Sequence, residues 1–227
     1  MKYLESALVL LEAKNISKSF RVGFLKKKKV FENIDFHVNQ GDFLSIIGKS
    51  GEGKTTLVKI LAGITHWDKG TVYYKGKKLG LFKNSFRKNL SFVFQDYKLI
   101  PNLTVLENIA LPMRIKNTPQ WKKKVRETME FVGISHISGS YPYQISGGES
   151  QRTSIARALC VEPEIIFADE PTGNLDQETE EEILKLFKKV NQEMKKTFII
   201  VTHEPSMLQH SNRIYKVEGG KVFEIHS

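Results

Sequence analysis

Short apolar runs alternate along the chain with longer stretches in which apolar residues recur at helical spacing. The runs are rich in β-branched and aromatic residues, and they predict strands at 42–48, 90–95, 164–170 and 197–203. The helical spacing predicts helices at 54–63 and 177–196. Because strands and helices alternate in this way, the pattern predicts an α/β fold.

Two shorter patterns predict hairpins, one at 71–79 with its turn at Gly76 and one at 215–225 across Gly219-Gly220. The segment Ser6–Leu11 is too short for a secretory leader and is bracketed by acidic residues, so we expect it to lead into a first strand. The sequence contains no internal repeat and no low-complexity linker.

The strand signal disappears between Asp96 and Ser146, where the spacing of apolar residues is helical. Within this stretch Thr118 is the predicted N-cap of a helix and Pro119 its first residue. We therefore expect a single domain over 1–227. Its predicted parts are an α/β core at 1–95 and 164–227 and a helical insert at 96–163.

Composition and charge narrow the classes of protein. Hydrophobic residues make up 40% and charged residues 26%, as in ordinary globular proteins, and no run approaches the roughly 18 apolar residues of a membrane span. The net charge is +10, yet only seven of the 35 basic residues are arginine, and the lysines are scattered. Base-edge and bidentate phosphate contacts favour arginine, so we do not expect nucleic-acid binding.

The composition also includes one dense cluster of lysines and a single cysteine. The densest basic cluster, Lys26–Lys29, is most simply a self-repelling solvated loop, with attraction to anionic lipid headgroups as the alternative. The single cysteine, Cys160, excludes a disulfide within the chain and fits a buried helix face.

The first candidate chemistry lies between the predicted strand at 42–48 and the helix that follows it. Residues Gly48–Thr55 match G-x-x-x-x-G-K-[ST] in the context of strand, loop and helix. The loop would wrap phosphates, Lys54 would reach the outer phosphates and the Thr55 hydroxyl would bind Mg²⁺. The motif therefore predicts a nucleotide site, although small-molecule kinases and GTPases share it.

A second candidate lies where the apolar strand at 164–170 ends in Asp169 and Glu170. Open α/β sheets bind their ligands at the carboxyl ends of their strands. Beside a nucleotide loop, Asp169 is expected to contribute to the Mg²⁺ shell and Glu170 to act as general base on a water that attacks the γ-phosphate.

A third candidate is the turn Ser146-Gly147-Gly148, which lies directly ahead of a predicted helix that carries Arg152 and Arg157. Backbone N–H groups and the helix dipole make such a turn a second anion site in a chain that already has one. The order of motifs resembles that of the ATP-binding cassette (ABC) ATPases over nearly the whole chain. The motifs that carry this resemblance are Gly48–Thr55, Gln95, Ser146–Glu149, Asp169-Glu170, Asp176 and His203.

The resemblance implies a P-loop NTPase core of the ABC ATPase type, with an antiparallel β subdomain and a helical insert. It also implies why there are two anion sites: two copies pack head to tail, so that the Ser-Gly-Gly turn of one copy binds the γ-phosphate held by the loop of the other. ATP and Mg²⁺ are the implied cofactors.

Individual roles follow from the same resemblance. The catalytic residues would be Glu170, His203 and Gln95. His203 would contact the γ-phosphate and orient Glu170, and Gln95 would bind Mg²⁺ and water and sense the insert. Phe20 would stack on adenine, and Mg²⁺ would be held by Thr55, Gln95 and Asp169. The remaining nucleotide contacts would come from Gly48, Lys49, Ser50, Gly51, Glu52, Gly53, Lys54, Thr55, Thr56, Ser146, Gly147, Gly148, Glu149 and Asp176.

Departures from the family pattern are small. Lys49 and Glu52 stand where small or neutral residues are common, and Thr55 keeps the hydroxyl of the usual serine. Glu149 suits the first turn of a helix. None of these puts ATP hydrolysis in doubt.

The finer resemblance concerns the task of the ATPase. One cassette without a membrane span resembles a separate subunit that drives two membrane permease subunits from the cytoplasmic face of the inner membrane. The stretches 97–113, 147–152 and 173–176 resemble the lipoprotein-releasing ATPase, with cell-division and macrolide-efflux cassettes as neighbours and a nucleic-acid-associated ABC ATPase as the non-transport alternative. Candidates for contact with the partners are Leu99-Ile100-Pro101 and Leu111-Pro112-Met113.

Overall fold

Strands and helices alternate along the residues that the computed structural model describes, which are 8–22, 26–80 and 86–225. The strands are β1 (Val9–Val22), β2 (Lys26–Asn39), β3 (Phe43–Ile47), β4 (Lys69–Tyr74), β5 (Lys77–Lys78), β6 (Leu90–Phe94), β7 (Ile165–Asp169), β8 (Thr197–Val201), β9 (Arg213–Glu218) and β10 (Lys221–Ile225). The helices are α1 (Lys54–Leu61), α2 (Val105–Ile115), α3 (Trp121–Val132), α4 (Gly147–Leu159), α5 (Gln177–Met194) and α6 (Pro205–Gln209). The predicted α/β fold is confirmed.

A six-stranded sheet in the order β10-β9-β3-β8-β7-β6 forms the centre of the fold. Its strands are parallel from β9 to β6, and only β10 runs antiparallel. Alternate residues of β7 face opposite sides, with Phe167 in one hydrophobic core and Ile166 in the other. Burial on both faces explains the continuous apolar runs in the sequence. The carboxyl ends of β3, β6, β7 and β8 meet at one edge, which is where parallel sheets bind ligands.

A second sheet is antiparallel, in the order β2-β1-β4-β5. The prediction of a solvated loop at Lys26–Lys29 is wrong, because these residues begin β2, where Lys28 pairs with Phe20 and Lys29 with Ser19. The pairing with β1 satisfies the backbone, while the side chains of Lys27, Lys28 and Lys29 stay exposed. Lysine is well tolerated there because β2 is an edge strand, where charge discourages pairing with another sheet.

Helices α2, α3 and α4 lie between β6 and β7 and pack around a core that includes Ile109, Met129 and Ile155. The predicted helix start at Thr118 and Pro119 is wrong. The Thr118 N–H donates to the carbonyl of Met113 at 2.9 Å and so closes the end of α2, while α3 begins at Trp121.

Candidate active site

The glycine loop connects β3 to α1, and its shape requires glycine at two positions, Gly48 and Gly53. Gly53 has φ of 105°, and a Cβ there would lie 2.7 Å from Val30 Cγ1. A Cβ on Gly48 would lie 2.4 Å from the carbonyl oxygen of Val217. The loop therefore runs close against β2 and β9 and turns into the N-terminus of α1, a geometry that favours anion binding. Ser50 and Gly51 are exposed at its tip, and Thr56 lies in the first turn of α1.

Lys54 folds back over the loop. Its Nζ donates to the carbonyl oxygens of Gly48 at 2.7 Å and Lys49 at 3.1 Å. The backbone therefore holds the ammonium at the mouth of the loop, where the outer phosphates of a nucleotide would lie.

Glu52 places a carboxylate on the same loop. Its Oε2 accepts the N–H of Lys49 at 2.8 Å, so the two residues in which the loop departs from the family pattern contact each other. This bond closes the turn from Lys49 to Glu52 and was not anticipated from the sequence.

The acidic pair lies at the carboxyl end of β7. Burial raises the pKa of Asp169, and the charge of Glu170 raises it further, while Lys54, Lys59 and a hydrogen bond with the Thr55 hydroxyl act in the opposite direction. A cation beside Asp169 would offset both unfavourable contributions.

Glu170 is held in a left-handed backbone conformation, with φ of 46°. Its N–H donates to the carbonyl of Val201 at 2.9 Å, and its own carbonyl accepts the N–H of Gly173 at 3.2 Å. Such conformations cost energy in residues other than glycine and persist where the surroundings fix them, often at functional sites.

His203 follows β8 and meets Glu170 across the edge of the sheet. Its Nδ1 lies 3.7 Å from Glu170 Oε1, and its Nε2 lies 3.4 Å from a carboxylate oxygen of Glu204. The imidazole is largely exposed. The structure therefore brings together the two residues between which the sequence predicted a catalytic contact.

Gln95 follows β6 and contacts a residue that the sequence analysis missed. Its Nε2 donates to Asn174 Oδ1 at 3.2 Å, and Asn174 Nδ2 donates to the backbone carbonyl of Gln95 at 3.3 Å. The fit is tight, because a Cβ on Gly173 would lie 2.9 Å from that Nε2. Asn174 belongs to the stretch Gly173–Asp176, in which the sequence predicts a nucleotide contact only for Asp176. A single asparagine has no sequence pattern that would reveal such a contact.

The groups around Asp169 fit a magnesium ion. Carboxylate, hydroxyl and amide oxygens from Asp169, Thr55 and Gln95 are the hard donors that Mg²⁺ prefers. Within the described part of the chain, no three or more His, Cys, Asp or Glu residues are grouped so that they could hold a metal ion. Such a donor set suits Mg²⁺ in nucleotide sites, where one or two carboxylates share the ion with substrate phosphates.

The turn at Ser146-Gly147-Gly148 forms the N-terminus of α4 and is exposed at Ser146 and Gly147. A Cβ on Gly148 would lie 2.7 Å from the Thr179 methyl group, so the turn packs against the start of α5. Asp176 caps α5, accepting the N–H of Thr179 at 3.0 Å. Among the hydrogen bonds and ion pairs of the described residues, none joins this turn to the glycine loop.

Phe20 lies on β1 with 43% of its surface exposed. The Nζ of Lys18 lies 4.9 Å from the centre of its ring, a cation–π contact, and Lys18 also pairs with Asp68 at 3.7 Å. The ring is therefore supported by a nearly buried ammonium group and keeps enough exposed surface to stack on a planar base.

The sequence model of the ABC transporter family matches residues 31–173. The bacitracin export ATP-binding protein BceA of Halalkalibacterium halodurans is 39% identical over 223 residues, which cover 95% of this chain and 88% of the relative. The lipoprotein-releasing system ATP-binding protein LolD of Idiomarina loihiensis is 37% identical over 221 residues, which cover 93% of this chain and 95% of the relative.

The solved structures that this chain resembles are also ABC transporter cassettes. The cassette MJ0796, described as a dimeric bacterial ABC transporter cassette, superposes with a TM-score of 0.84 at 34% identity and covers 95% of this chain and 98% of its own. A dimeric post-hydrolysis state of the same cassette, bound to ADP and Pi, matches equally well. This chain therefore belongs to the ABC transporter family, as one of its ATP-binding and ATP-hydrolysing subunits.

Proposed function

We propose that this ATPase acts as a head-to-tail dimer that closes around ATP and drives membrane partners. The observation that carries the proposal is the separation of two anion sites in one chain. The glycine loop holds Lys54, whereas the exposed turn at Ser146 has no hydrogen bond or ion pair to that loop among the described residues. A second copy related by two-fold symmetry would bring each turn to the other copy's loop. The dimeric state of MJ0796 supports this arrangement.

In the closed dimer each chain would contribute groups in cis to hydrolysis. Mg²⁺ held by Thr55, Asp169 and Gln95 would neutralise charge on the phosphates. Glu170 would accept a proton from the water that attacks the γ-phosphorus, as the bond from that phosphorus to the β–γ bridging oxygen breaks to release ADP and phosphate. His203 would hold the Glu170 carboxylate in position.

Dimerisation is tested with Ser146→Arg in a Glu170→Gln background, in which slow hydrolysis preserves bound ATP. The arginine side chain would fill the space in which the partner's γ-phosphate must lie, so ATP-dependent dimerisation should be lost while the monomer still binds ATP. Light scattering measures the dimer and nucleotide titration measures binding. An ATP-dependent dimer that forms as in the parent protein would exclude the shared site.

The membrane partners would dock at a cleft of about 340 Å³ between the central sheet and the helical insert. Its walls include Leu111, Pro112 and Ile115 of α2, and Ile115 is 73% exposed. Met113, one of the contact candidates, is 2% exposed and belongs to the core of the insert, so it does not serve as a docking residue. Of the other candidate segment, Ile100 is 39% exposed.

Contacts inside the chain lead from this cleft to the nucleotide site. Arg157 lines the cleft and donates to the carbonyl oxygens of Tyr97 at 2.7 Å and Lys98 at 2.6 Å, in the loop that follows Gln95. A Cβ on Gly147 would lie 3.1 Å from the Tyr97 hydroxyl, so the same loop packs on the turn before α4. A short partner helix in the cleft would therefore lie against Arg157, whose side chain holds the loop that packs on this turn.

No helix among the described residues is long and apolar enough to cross a membrane. On the resemblance to separate ABC ATPase subunits, we propose that two permease subunits make the membrane contact and that this chain works at the cytoplasmic face of the membrane that holds them. Co-purification from native membranes in mild detergent would identify the permeases. Recovery of the chain without any integral membrane protein would argue against this role.

The proposed cargo is lipoprotein, extracted from the inner membrane, on the resemblance at 97–113, 147–152 and 173–176. Removing acyl chains from a bilayer costs about 0.8 kcal/mol per CH₂ and therefore needs an energy source. BceA gives comparable support to export of bacitracin-like peptides, because its identity of 39% is similar to the 37% of LolD. Depletion separates the two: lipoproteins should accumulate in the inner membrane, whereas sensitivity to bacitracin with normal lipoprotein sorting would favour export. Filamentous cells with normal sorting would favour a cell-division role.

A further inference from the structure

The hydroxyl of Ser146 is already engaged within its own chain. Its Oγ accepts the N–H of Glu149 at 3.2 Å and lies 2.8 Å from Glu149 Oε2, and the same carboxylate oxygen accepts the N–H of Ser146 at 2.8 Å. This is the capping box of α4. A carboxylate has no proton, so the single proton of the serine hydroxyl is donated to Glu149.

The carboxylate is held in its ionised form. The N–H and hydroxyl of Ser146, followed by the nearby His136, lower the pKa of Glu149 below its ordinary value. His136 Nε2 lies 3.3 Å from Oε1, the oxygen that does not contact Ser146. At neutral pH Glu149 is therefore an acceptor only and cannot return a proton to the serine.

We propose that Glu149 is a positioning residue that withholds the Ser146 hydroxyl from the partner's γ-phosphate, so that closure of the dimer must break the Ser146–Glu149 hydrogen bond. The inference rests on the proposed function, in which this turn faces the nucleotide of a second copy. A fully ionised phosphate offers only acceptors, and it needs the one hydroxyl proton that Glu149 holds. Glu149 thereby raises the ATP concentration at which two copies associate.

The chain supplies a matched control at the start of α2. Thr104 and Glu107 form the same capping box: the Thr104 hydroxyl donates to Glu107 Oε2 at 3.0 Å, and the Thr104 N–H donates to the same oxygen at 2.9 Å. The pKa of Glu107 is also lowered by these two donors. This box packs on the loop near Ser140 and lies outside the proposed nucleotide contacts. A Glu-to-Gln change therefore perturbs helix capping equally at both sites, but only the change at Glu149 should alter ATP-dependent dimerisation.

The experiment compares Glu149→Gln and Glu107→Gln, each in the Glu170→Gln background, by light scattering over an ATP titration. Glutamine keeps an acceptor oxygen for the Ser146 N–H but replaces a charge-assisted bond to the hydroxyl with a weaker neutral one. Glu149→Gln should lower the ATP concentration for half-maximal dimer about fivefold, whereas Glu107→Gln should leave it unchanged. Glu149→Ala, which removes the acceptor, should lower it at least as much. Thermal unfolding checks that each variant is folded.

Ser146→Ala distinguishes two ways in which Glu149 could oppose dimerisation: by withholding the Ser146 hydroxyl proton, or by simple repulsion between its carboxylate and the partner's γ-phosphate. Without the hydroxyl, Glu149→Gln should change the half-maximal ATP concentration by less than about twofold. A full fivefold effect in that background, an equal effect of Glu107→Gln, or a Glu149→Gln protein that needs as much ATP as its parent would each overturn the inference. If Ser146→Arg blocks dimerisation while Glu149→Gln has no effect, the inference fails and the proposed dimer stands. If Ser146→Arg dimerises normally, the proposed dimer itself fails.

Discussion

Asn174 fixes the orientation of the Gln95 side chain by accepting its Nε2–H at 3.2 Å. A primary amide has a donor end and an acceptor end, and only the acceptor end can bind a metal ion or accept a hydrogen bond from water. Because Nε2 is directed to Asn174, the Oε1 atom of Gln95 is left for the site. Asn174 thus orients Gln95 in the way that hydrogen-bond partners behind a metal site orient its ligands, which suits the role proposed for Gln95.

Asn174→Ala should raise the Mg²⁺ concentration for half-maximal ATP hydrolysis about tenfold, because Gln95 loses the partner that orients its amide. Direct Mn²⁺ binding in the presence of ATP, followed by electron paramagnetic resonance, should weaken in parallel. Asn174→Asp keeps an acceptor for Nε2 and should restore most of the affinity. Equal metal dependence of Asn174→Ala and the parent protein would remove Asn174 from this role.

Most strands of the central sheet could be predicted because burial on both faces demands continuous apolar runs, as at Ile165–Ala168. The edge strand β2 was not predicted. Its first residues, Lys26–Lys29, have the charge that is typical of a solvated loop, and their extended structure is set by pairing with β1. The start of α3 was misplaced for a related reason. Thr118 is a good N-cap by type, but its N–H completes the preceding helix.

The same contrast holds for the site. Residues in contiguous motifs, such as Lys54 and Glu170, could be named because their spacing is tied to a strand end and a helix start. The contacts of Asn174 and Arg157 could not, since they join residues that are distant in sequence: Asn174 bonds to Gln95, and Arg157 bonds to two backbone carbonyls. No periodicity or spacing records such contacts.

Lys54→Ala and Glu170→Gln should separate nucleotide binding from chemistry. The first removes the cation that Gly48 holds over the loop, and we expect ATP affinity to fall at least about tenfold. The second keeps the size of the side chain but removes the proposed base, so binding should persist while turnover falls roughly 10²- to 10⁴-fold. Nucleotide titration and phosphate release measure the two effects. Near-parental turnover of Glu170→Gln would show that another group is the base.

Glu224 should make folding stability depend on pH in the acid range. Its hydrogen bonds with Arg213, the shorter at 2.6 Å, lower its pKa from an ordinary value of 4.5. A lowered pKa in the folded state means that the stabilisation is fully present above about pH 4.5 and is lost as pH falls through the folded-state value. Glu224→Gln should therefore lower Tm by roughly 2 °C at pH 7, and the difference should shrink below about pH 4.

Glu218→Gln is the matched control, because the Lys216–Glu218 pair at 2.9 Å is more exposed and more strongly screened. It should change Tm by less than about 1 °C at either pH. Calorimetric scans of both variants across pH 3–7 make the comparison. A Tm difference for Glu224→Gln that stays constant over this range would mean that its carboxylate is not linked to folding.

Ile115→Glu should uncouple this ATPase from the proposed membrane partners while leaving its nucleotide site intact. Ile115 is 73% exposed at the end of α2 and lines the cleft beside Leu111, so a partner helix that docks there would bury it. Replacing an apolar anchor with a charge should weaken binding to native membranes about tenfold or more, since the carboxylate would lose its hydration where an apolar contact is needed. Ile64→Glu is the control, because Ile64 is also an exposed isoleucine, 52% exposed, but lies outside the cleft. Both variants should hydrolyse ATP normally without membranes. If the two variants bind membranes equally well, the docking surface lies elsewhere. If only Ile115→Glu loses membrane binding, the docking surface is at this cleft, where a partner would contact the Arg157 side chain that holds the loop after Gln95.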